Sequence, residues 1–362
     1  MNTISRRNNF DIIRLLAALQ VTIGHGLHIL QIGGGGDFLS LCDLFPGVII
    51  FFTISGFLIT MSWERSKTVE KYARNRFLRL FPALFVCFII TQFLLFFLGY
   101  INLRSFLNPQ MWVYWIGQLT LFQFFTPDAL RDFGYGCPNG SLWTIPVEIE
   151  FYILIPLILI MMGKKISTNT KIYLFAGLSM LYNSVVFFLL PDTMGAHKTS
   201  VTGLITLIMS GDITPLVKVV NVTCVPYLYC FLFGAWAYKN WDRVHQLFEG
   251  KFVFWIVGYL MLCFSFGLRP GYYIDSFQML LGNLLLAGVT LSAAFSYTKY
   301  HDILRGNDIS YGIYIFHGVV LNVFVEFGFM YKPQYYFYAI GITIVLAIFS
   351  WTLIEKKALS KK

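Results

Sequence analysis

The first apolar stretch of the chain, FDIIRLLAALQVTIGHGLH, carries four ionisable side chains, Asp11, Arg14, His25 and His28, although a lipid environment makes polar groups costly. Arg14 and His25 are 11 residues apart, so an α-helix would bring them to within about 20° of one face and about 16 Å apart along its axis. Arginine binds anions, and histidine accepts a proton near neutral pH. The spacing therefore predicts an anion-binding position joined to a deep proton acceptor. The alternatives are a membrane-anchoring Arg14 and a His25 that only hydrogen-bonds between helices.

A basic cluster precedes the third apolar stretch, in the segment WERSKTVEKYARNRFLRLFPAL. Arg76 and Arg79 are three residues apart, so they share a helix face from which two guanidinium groups can donate paired hydrogen bonds to phosphate oxygens. The alternative is a basic loop that sets membrane topology or contacts lipid headgroups. Because neither GxxxxGK[ST] nor GxGxxG after a strand occurs, the pair favours a phosphate-rich ligand bound without a nucleotide-loop fold.

Two further segments combine turn residues or aromatics with titratable groups. In GYGCPNGSLWTIPVEIEFY, Glu148 and Glu150 would point about 200° apart on a helix, so only one can face a central cavity. The alternative is that both favour a helix N-terminus. In SYGIYIFH, Ser310, Tyr314 and His317 recur at helical spacing, and a structural role for His317 fits as well as a functional one.

The composition indicates that these residues are carried by membrane-spanning helices. Of 362 residues, 57% are hydrophobic and only 12% are charged, against about 25% charged in ordinary soluble domains. We predict an all-α polytopic integral membrane protein with about ten transmembrane helices plus one short re-entrant or interfacial segment, 111–125. The predicted spans are 10–31, 44–63, 79–100, 146–163, 171–190, 223–238, 252–268, 276–297, 309–329 and 335–355.

The distribution of basic residues selects one orientation for these spans. With the N-terminus in the cytoplasm, 21 of the 27 Lys and Arg residues fall on the cytoplasmic side, as the positive-inside rule requires, and both termini are cytoplasmic. A full crossing by 111–125 would invert every later loop and largely remove this bias. The net charge of +9 is thereby explained by topology and by the proposed phosphate-binding residues, and no nucleic-acid partner is predicted.

Cysteine and histidine spacing predicts no metal site. The chain contains no CxxC or HxxxH spacing, and four of its six cysteines fall in predicted spans, where they act as small apolar residues. Cys42 and Cys137 both fall in predicted outer loops, so a disulfide between them is possible.

The motifs together resemble the acyltransferase-three family of bacterial integral-membrane acyltransferases, over nearly the whole chain. The resemblance is carried by Arg14 and His25 with their ten-residue gap and by four segments in the order of the family: FFTISGFLIT, RNRFLRLFP, SLWTIPVEIEFY and SYGIYIFH. It implies a single membrane-embedded acyltransferase domain, residues 1–362. It further implies transfer of an acyl group, most often acetyl from cytoplasmic acetyl-CoA, to a hydroxyl of a glycan.

Carried over by position, the resemblance assigns roles to individual residues. Arg14, Arg76 and Arg79 match positions tied to the CoA phosphates and donor activity, His25 matches the catalytic histidine, and Glu148 matches the acidic residue of a WSLxxE-type stretch. Departures from the family pattern leave two points open: Glu150 stands where the family often has Gln, and the Glu355–Lys356 pair lacks the usual following Pro.

The resemblance also implies a setting and leaves a rival. Without an appended SGNH hydrolase-like domain, the chain is similar to stand-alone members in the bacterial cytoplasmic (inner) membrane that modify O-antigen or similar cell-surface polysaccharides or their lipid-linked precursors. The expected partners are acetyl-CoA, the glycan acceptor and membrane lipid. The alternative is a transporter or flippase of lipid-linked sugars, which would not need a paired-arginine phosphate site. Direct transfer is favoured over prior acylation of an enzyme side chain such as Ser55. The acceptor hydroxyl and the oligomeric state stay open.

Overall fold

The computed structural model describes residues 7–33, 40–160, 166–189, 214–271 and 277–361, and these ranges contain helices and connecting segments but no strand. We number the helices α1 (Phe10–Ile29), α2 (Gly47–Arg65), α3 (Val69–Phe97), α4 (Pro109–Gln118), α5 (Thr144–Ile160), α6 (Thr168–Leu189), α7 (Thr214–Asn221), α8 (Leu228–Lys239), α9 (Trp241–Phe248), α10 (Phe252–Phe266), α11 (Phe277–Ala294), α12 (Ser310–Glu326) and α13 (Pro333–Ser350). Short 3₁₀ turns are Leu103–Leu107, Asp128–Leu130, Gly140–Trp143, Val225–Tyr227 and Thr298–Tyr300, and a π-helical turn, Trp351–Glu355, continues α13 into Lys356–Leu359.

The helices confirm an all-α, multi-pass membrane protein. Within the described ranges, seven helical segments are long and apolar enough to cross a membrane. The bent pair α9 and α10, with a 71° angle between its halves, would make an eighth, and α12 is a shorter apolar helix. The count of ten spans and the cytoplasmic position of both termini stay predictions. The segment at 111–125 overlaps only one helix, the ten-residue α4, which is about half the length that a full crossing needs.

The third span begins earlier than the sequence pattern indicated. The predicted start was residue 79, whereas α3 begins at Val69, so most of the basic segment is helical rather than a loop. The hydroxyl of Thr68 accepts a hydrogen bond from the backbone N–H of Lys71 and caps the helix. Lys, Arg and Glu are good helix formers, so the helix extends beyond its apolar part. Arg76 and Arg79 therefore lie on one regular helix.

The backbone forms two compact units. The first comprises Met1–Arg14, Asp43–Ser66 and Val147–Ile303. Its closest helix contact joins α2 and α8, because a Cβ at Gly56 would lie 1.8 Å from the carbonyl oxygen of Phe231, and a Cβ at Gly234 would lie 2.1 Å from that of Thr53. A buried aromatic cluster of Phe10, Phe57, Trp241, Phe248 and Phe295 lies alongside. Small residues at such crossings allow main chains to approach and gain van der Waals contact within the membrane.

The second unit comprises Leu15–Cys42, Lys67–Pro146 and Leu304–Lys362. Its main buried cluster joins α1, α12 and α13 through Leu27, Leu30, Leu321, Phe324 and Tyr336. Helix α12 is the most enclosed element of this unit, since fourteen of its seventeen residues are buried. A spanning helix that is surrounded by protein can carry polar side chains, because neighbouring groups rather than lipid meet them.

Candidate active site

Two histidines meet inside the second unit. Nδ1 of His25, on α1, lies 3.0 Å from Nε2 of His317, on α12, and the ring centroids are 5.2 Å apart. His317 is fully buried and His25 is half-buried. The sequence left a structural and a functional role for His317 equally open, and the structure places it directly against the predicted catalytic residue. The contact with His317 fixes the orientation of the His25 ring, so that His25 can accept a proton from one direction.

A glycine follows each histidine and lets its helix approach a neighbour. A Cβ at Gly26 would lie 2.9 Å from the ring of Tyr336 on α13. A Cβ at Gly318 would lie 2.3 Å from Oδ1 of Asn139 and 2.7 Å from Oγ of Ser141. Any larger side chain at either position would force these neighbours to move. The two glycines thus help to determine the separation of the histidine rings.

Polar side chains from the segment before α5 and from its first residue contact the middle of α12. The amide of Asn139 donates to the carbonyl oxygen of Ile315 at 2.8 Å, and the hydroxyl of Ser141 donates to Oδ1 of Asn139 at 2.6 Å. The hydroxyls of Thr144 and Tyr314 are 2.6 Å apart. Sequence reasoning singled out this segment for Glu148 and did not identify these three residues. Their signal was a group of polar residues in a Gly- and Pro-containing turn next to an apolar helix.

The same segment is attached to the other end of α12. The carboxylate of Glu326 accepts hydrogen bonds from the hydroxyl of Tyr100 at 2.8 Å and from the backbone N–H of Gly134 at 3.1 Å. Oδ1 of Asn322 accepts from the backbone N–H of Tyr135 at 2.7 Å. Gly134 has a φ of +57° and no room for a Cβ, which would lie 2.4 Å from Oδ1 of Asn322. The segment is therefore held against α12 along most of its length.

Within the described ranges, no disulfide joins Cys42 and Cys137. The hydroxyl of Thr126 donates to Sγ of Cys137 at 3.1 Å. Burial raises the pKa of the Cys137 thiol above its ordinary value. In the described ranges, no group of three or more His, Cys, Asp and Glu residues is placed to hold a metal ion.

Arg79 makes a buried ion pair in the second unit. Its guanidinium lies 2.5 Å from Oδ2 of Asp308, whose other oxygen accepts hydrogen bonds from the hydroxyl and the backbone N–H of Ser310. Glu355 lies in the π-helical turn, is almost fully buried and accepts a hydrogen bond from the hydroxyl of Ser350 at 2.9 Å. Arg76, one turn before Arg79 on α3, is half-buried. The carboxylate partner of Arg79 was not foreseen, because it lies 229 residues away in the chain.

The other predicted site residues belong to the first unit. Arg14 is 3.9 Å from the carboxylate of Asp11, one turn earlier on α1. Oε1 of Glu148 accepts a hydrogen bond from the hydroxyl of Tyr152 at 2.6 Å, within α5. Oε2 of Glu150 accepts from the backbone N–H of Cys224 at 2.6 Å, next to the 3₁₀ turn that leads into α8. The structure therefore gives Glu150, whose role the sequence left open, a structural contact: its carboxylate accepts a hydrogen bond from a main-chain N–H at a helix start.

Comparison with known proteins shows that the chain is similar to acyltransferases. Residues 7–354 match the model of the acyltransferase-three family, which is described as an acyltransferase domain. The chain is 30% identical to "Nodulation protein 10" of Rhizobium leguminosarum bv. viciae, over 98% of this chain and 93% of that protein. It is 27% identical to the "O-acetyl transferase" of Shigella phage Sf6, over 98% and 97% of the two chains.

A longer relative matches through only part of its length. The "Peptidoglycan O-acetyltransferase OatA" of Listeria monocytogenes is 24% identical over 96% of this chain but only 55% of that protein. No solved structure matches the chain significantly.

Proposed function

Because the chain belongs to the acyltransferase-three family, we propose that this membrane O-acyltransferase moves an acetyl group from cytoplasmic acetyl-CoA to a hydroxyl of a cell-surface polysaccharide, such as O-antigen, or of its lipid-linked precursor. Two relatives support acetyl as the group and a glycan as the acceptor, since their names specify O-acetyl transfer and, in one, peptidoglycan. The proposed location is the bacterial cytoplasmic (inner) membrane. The family match over residues 7–354 favours one acyltransferase domain in which both units serve one activity.

The observation that carries the proposal is the environment of His25. It is a titratable ring in an apolar spanning helix, and one of its nitrogens is oriented by a hydrogen bond to a second buried ring. Among the described residues, its other nitrogen, Nε2, has no hydrogen-bond partner. Such a nitrogen is suited to general-base catalysis on a hydroxyl, which is a poor nucleophile near neutral pH until its proton is removed.

In the proposed reaction the acceptor oxygen attacks the carbonyl carbon of the thioester while Nε2 of His25 takes the hydroxyl proton. A C–O bond forms, the C–S bond breaks, and the proton passes from the imidazolium to the departing CoA thiolate. Direct transfer of this kind needs no acylated enzyme. Glu148 is proposed to support the charged state of the histidine, as its position in the family motif implies.

The donor phosphates are proposed to bind Arg14, Arg76 and Arg79. CoA carries a diphosphate and a 3′-phosphate, and arginine forks match phosphate oxygens. Arg79 already binds Asp308, but a guanidinium has five N–H donors, so one edge can hold the carboxylate while another binds phosphate. The acyl-carrying arm of CoA would then extend along the membrane normal, over a distance comparable to the rise of about 16 Å between Arg14 and His25 on α1.

Glycan mass spectrometry in a host strain that lacks the gene tests the reaction. Wild type, His25→Ala and His28→Ala are expressed at matched membrane levels, His28 being an exposed histidine one turn further along the same helix. We expect wild type and His28→Ala to restore O-acetyl groups and His25→Ala to leave the glycan unmodified but normally exported. O-acetyl groups retained in His25→Ala would exclude the proposed base. Loss of glycan export would instead favour a flippase.

Binding of acetyl-CoA to the purified protein tests the donor site separately. Arg76→Ala should weaken binding and reduce its dependence on salt, since one phosphate contact is lost. Arg104→Ala is the control, because Arg104 is also an arginine but is exposed and lies on the predicted outer side. Equal affinities of Arg76→Ala and wild type would remove Arg76 from the donor site.

A further inference from the structure

The contact between the two histidines assigns a role to the second one. We propose that His317 is a positioning residue that holds His25 in the one tautomer able to accept a proton at Nε2. This inference rests on the proposed function, in which His25 is the general base. It concerns a residue for which the sequence left a structural and a functional interpretation equally open.

The hydrogen bonds of His317 determine where its own proton lies. Nδ1 of His317 is 3.2 Å from the carbonyl oxygen of Ile313, one turn earlier on α12. A carbonyl oxygen can only accept, so Nδ1 carries the hydrogen. A neutral imidazole has a single N–H, so Nε2 of His317 is an acceptor. A doubly protonated His317 would be a fully buried cation whose described partners are a carbonyl and a neutral ring, which is a costly arrangement.

The tautomer of His25 follows from that of His317. Since Nε2 of His317 accepts, Nδ1 of His25 donates across the 3.0 Å contact. The lone pair of His25 then resides on Nε2, the nitrogen without a hydrogen-bond partner among the described residues. In the other tautomer Nδ1 would face the lone pair of His317, and Nε2 would carry a hydrogen and could not act as a base. The main-chain carbonyl of Ile313 therefore directs the chemistry of His25 through His317.

The same hydrogen bond becomes stronger during the reaction. When Nε2 of His25 takes the acceptor proton, the ring becomes an imidazolium and its Nδ1–H donates from a charged group. Hydrogen bonds from charged donors are roughly twice as strong as those between neutral groups. An interaction that is stronger in the transition state than in the ground state accelerates the chemical step. Loss of His317 should therefore lower kcat more than it changes the KM for the donor.

The helices that carry the two rings are held in place independently of the contact. Asn139 binds the carbonyl oxygen of Ile315 and fills the space beside Gly318, and the ring of Tyr336 packs against Gly26. Replacing His317 with a side chain of similar size should consequently leave the backbone in place. Gln is the most informative replacement, because its Oε1 reaches about as far as Nε2 of histidine and can accept from Nδ1 of His25.

The test measures acetyl transfer in membrane vesicles from the host, with radiolabelled acetyl-CoA as the donor and label in polysaccharide as the readout. The variants are His317→Ala, His317→Gln, His317→Leu, His25→Ala and the double variant His25→Ala/His317→Ala, with His28→Ala as the control. Rates are normalised to folded protein, determined by gel filtration in detergent. No label with wild-type protein would refute the proposed function itself and not this inference.

We expect His317→Ala and His317→Leu to lower kcat by about 10- to 100-fold while KM for acetyl-CoA changes by less than about 3-fold, which corresponds to about 1.4 to 2.8 kcal/mol in the barrier. His317→Gln should recover a substantial part of the rate. In the His25→Ala background, replacement of His317 should have no further effect. The inference is overturned if the three His317 variants keep the wild-type rate, if Gln is no better than Leu, or if His317→Ala still lowers residual transfer without His25.

Discussion

Neutralising Asp308 should destabilise the protein markedly, because it leaves the buried guanidinium of Arg79 without its closest carboxylate. The two side chains are 16% and 7% exposed, and their charged atoms are 2.5 Å apart. Breaking a buried pair by removing one partner costs about 3–5 kcal/mol. Asp308→Asn keeps an acceptor for Ser310, and the nearby Glu355 also attracts Arg79, so we expect the lower end of this range.

Equilibrium unfolding in mixed detergent micelles, followed by tryptophan fluorescence, measures this effect. The variants Asp308→Asn, Arg79→Met and the double form a cycle, in which the double variant should lose less than the sum of the singles by about 1–3 kcal/mol. The matched control is the ion pair between Glu64 and Lys239, whose side chains are 25% and 24% exposed. Glu64→Gln should cost only about 0–1 kcal/mol, since water screens that pair. Additive single effects, or a loss for Asp308→Asn no larger than for the control, would refute the reasoning.

Three further predictions follow from local geometry. Gly56→Ala should lower the free energy of unfolding by about 1–3 kcal/mol or more, because its Cβ would lie 1.8 Å from a main-chain carbonyl oxygen of α8. The control Gly258→Ala, at a position with open space around it, should be neutral or mildly stabilising. Equal effects of the two substitutions would contradict the packing of α2 against α8. Burial raises the pKa of the Cys137 thiol, so its reaction with maleimide should be slow at pH 7. The labelling rate, measured by peptide mass spectrometry, should still rise tenfold per pH unit beyond about pH 8.5. A rate that levels off near pH 8.5 would show an ordinary thiol. Glu150→Ala should lower the free energy of unfolding by about 1–3 kcal/mol, because the backbone N–H of Cys224 loses its carboxylate acceptor. Glu150→Gln keeps an acceptor oxygen and should retain most of the stability. Unchanged stability in both variants would mean that this hydrogen bond does not stabilise the protein.

The class of fold was predictable from the sequence because lipid imposes a simple rule. Long apolar runs with few charges must form helices there, and the described structure is helical with seven or eight candidate spans. The ends of the helices were less predictable. Helix α3 begins at Val69 rather than at residue 79, since a helix propagates through charged residues that hydropathy assigns to a loop.

Individual site residues were predictable to different degrees. His25 was evident because an ionisable side chain in an apolar helix is rare and needs a reason. Its partner was only one of several candidates, since 292 residues separate His25 from His317. For Arg79 the sequence offered a phosphate ligand, or a role in topology or lipid contact, but no carboxylate partner, because nothing in a local pattern indicates that Asp308 lies against it. For Glu148 and Glu150 the helical angle correctly implied different surroundings, and the structure gives them separate partners.

By itself, then, the sequence determined that this protein lies in a membrane, that its secondary structure is helical and which family it resembles. It also determined the small set of polar side chains that are costly in lipid and so need a partner or a function. These properties depend on composition and on periods of a few residues, which are local. Only the tertiary structure decided which of those groups meet. It placed His317 against His25, Asp308 against Arg79 and the N–H of Cys224 against Glu150. Such pairings depend on how helices distant in the chain pack, because a buried polar group must find its partner in space and not along the sequence.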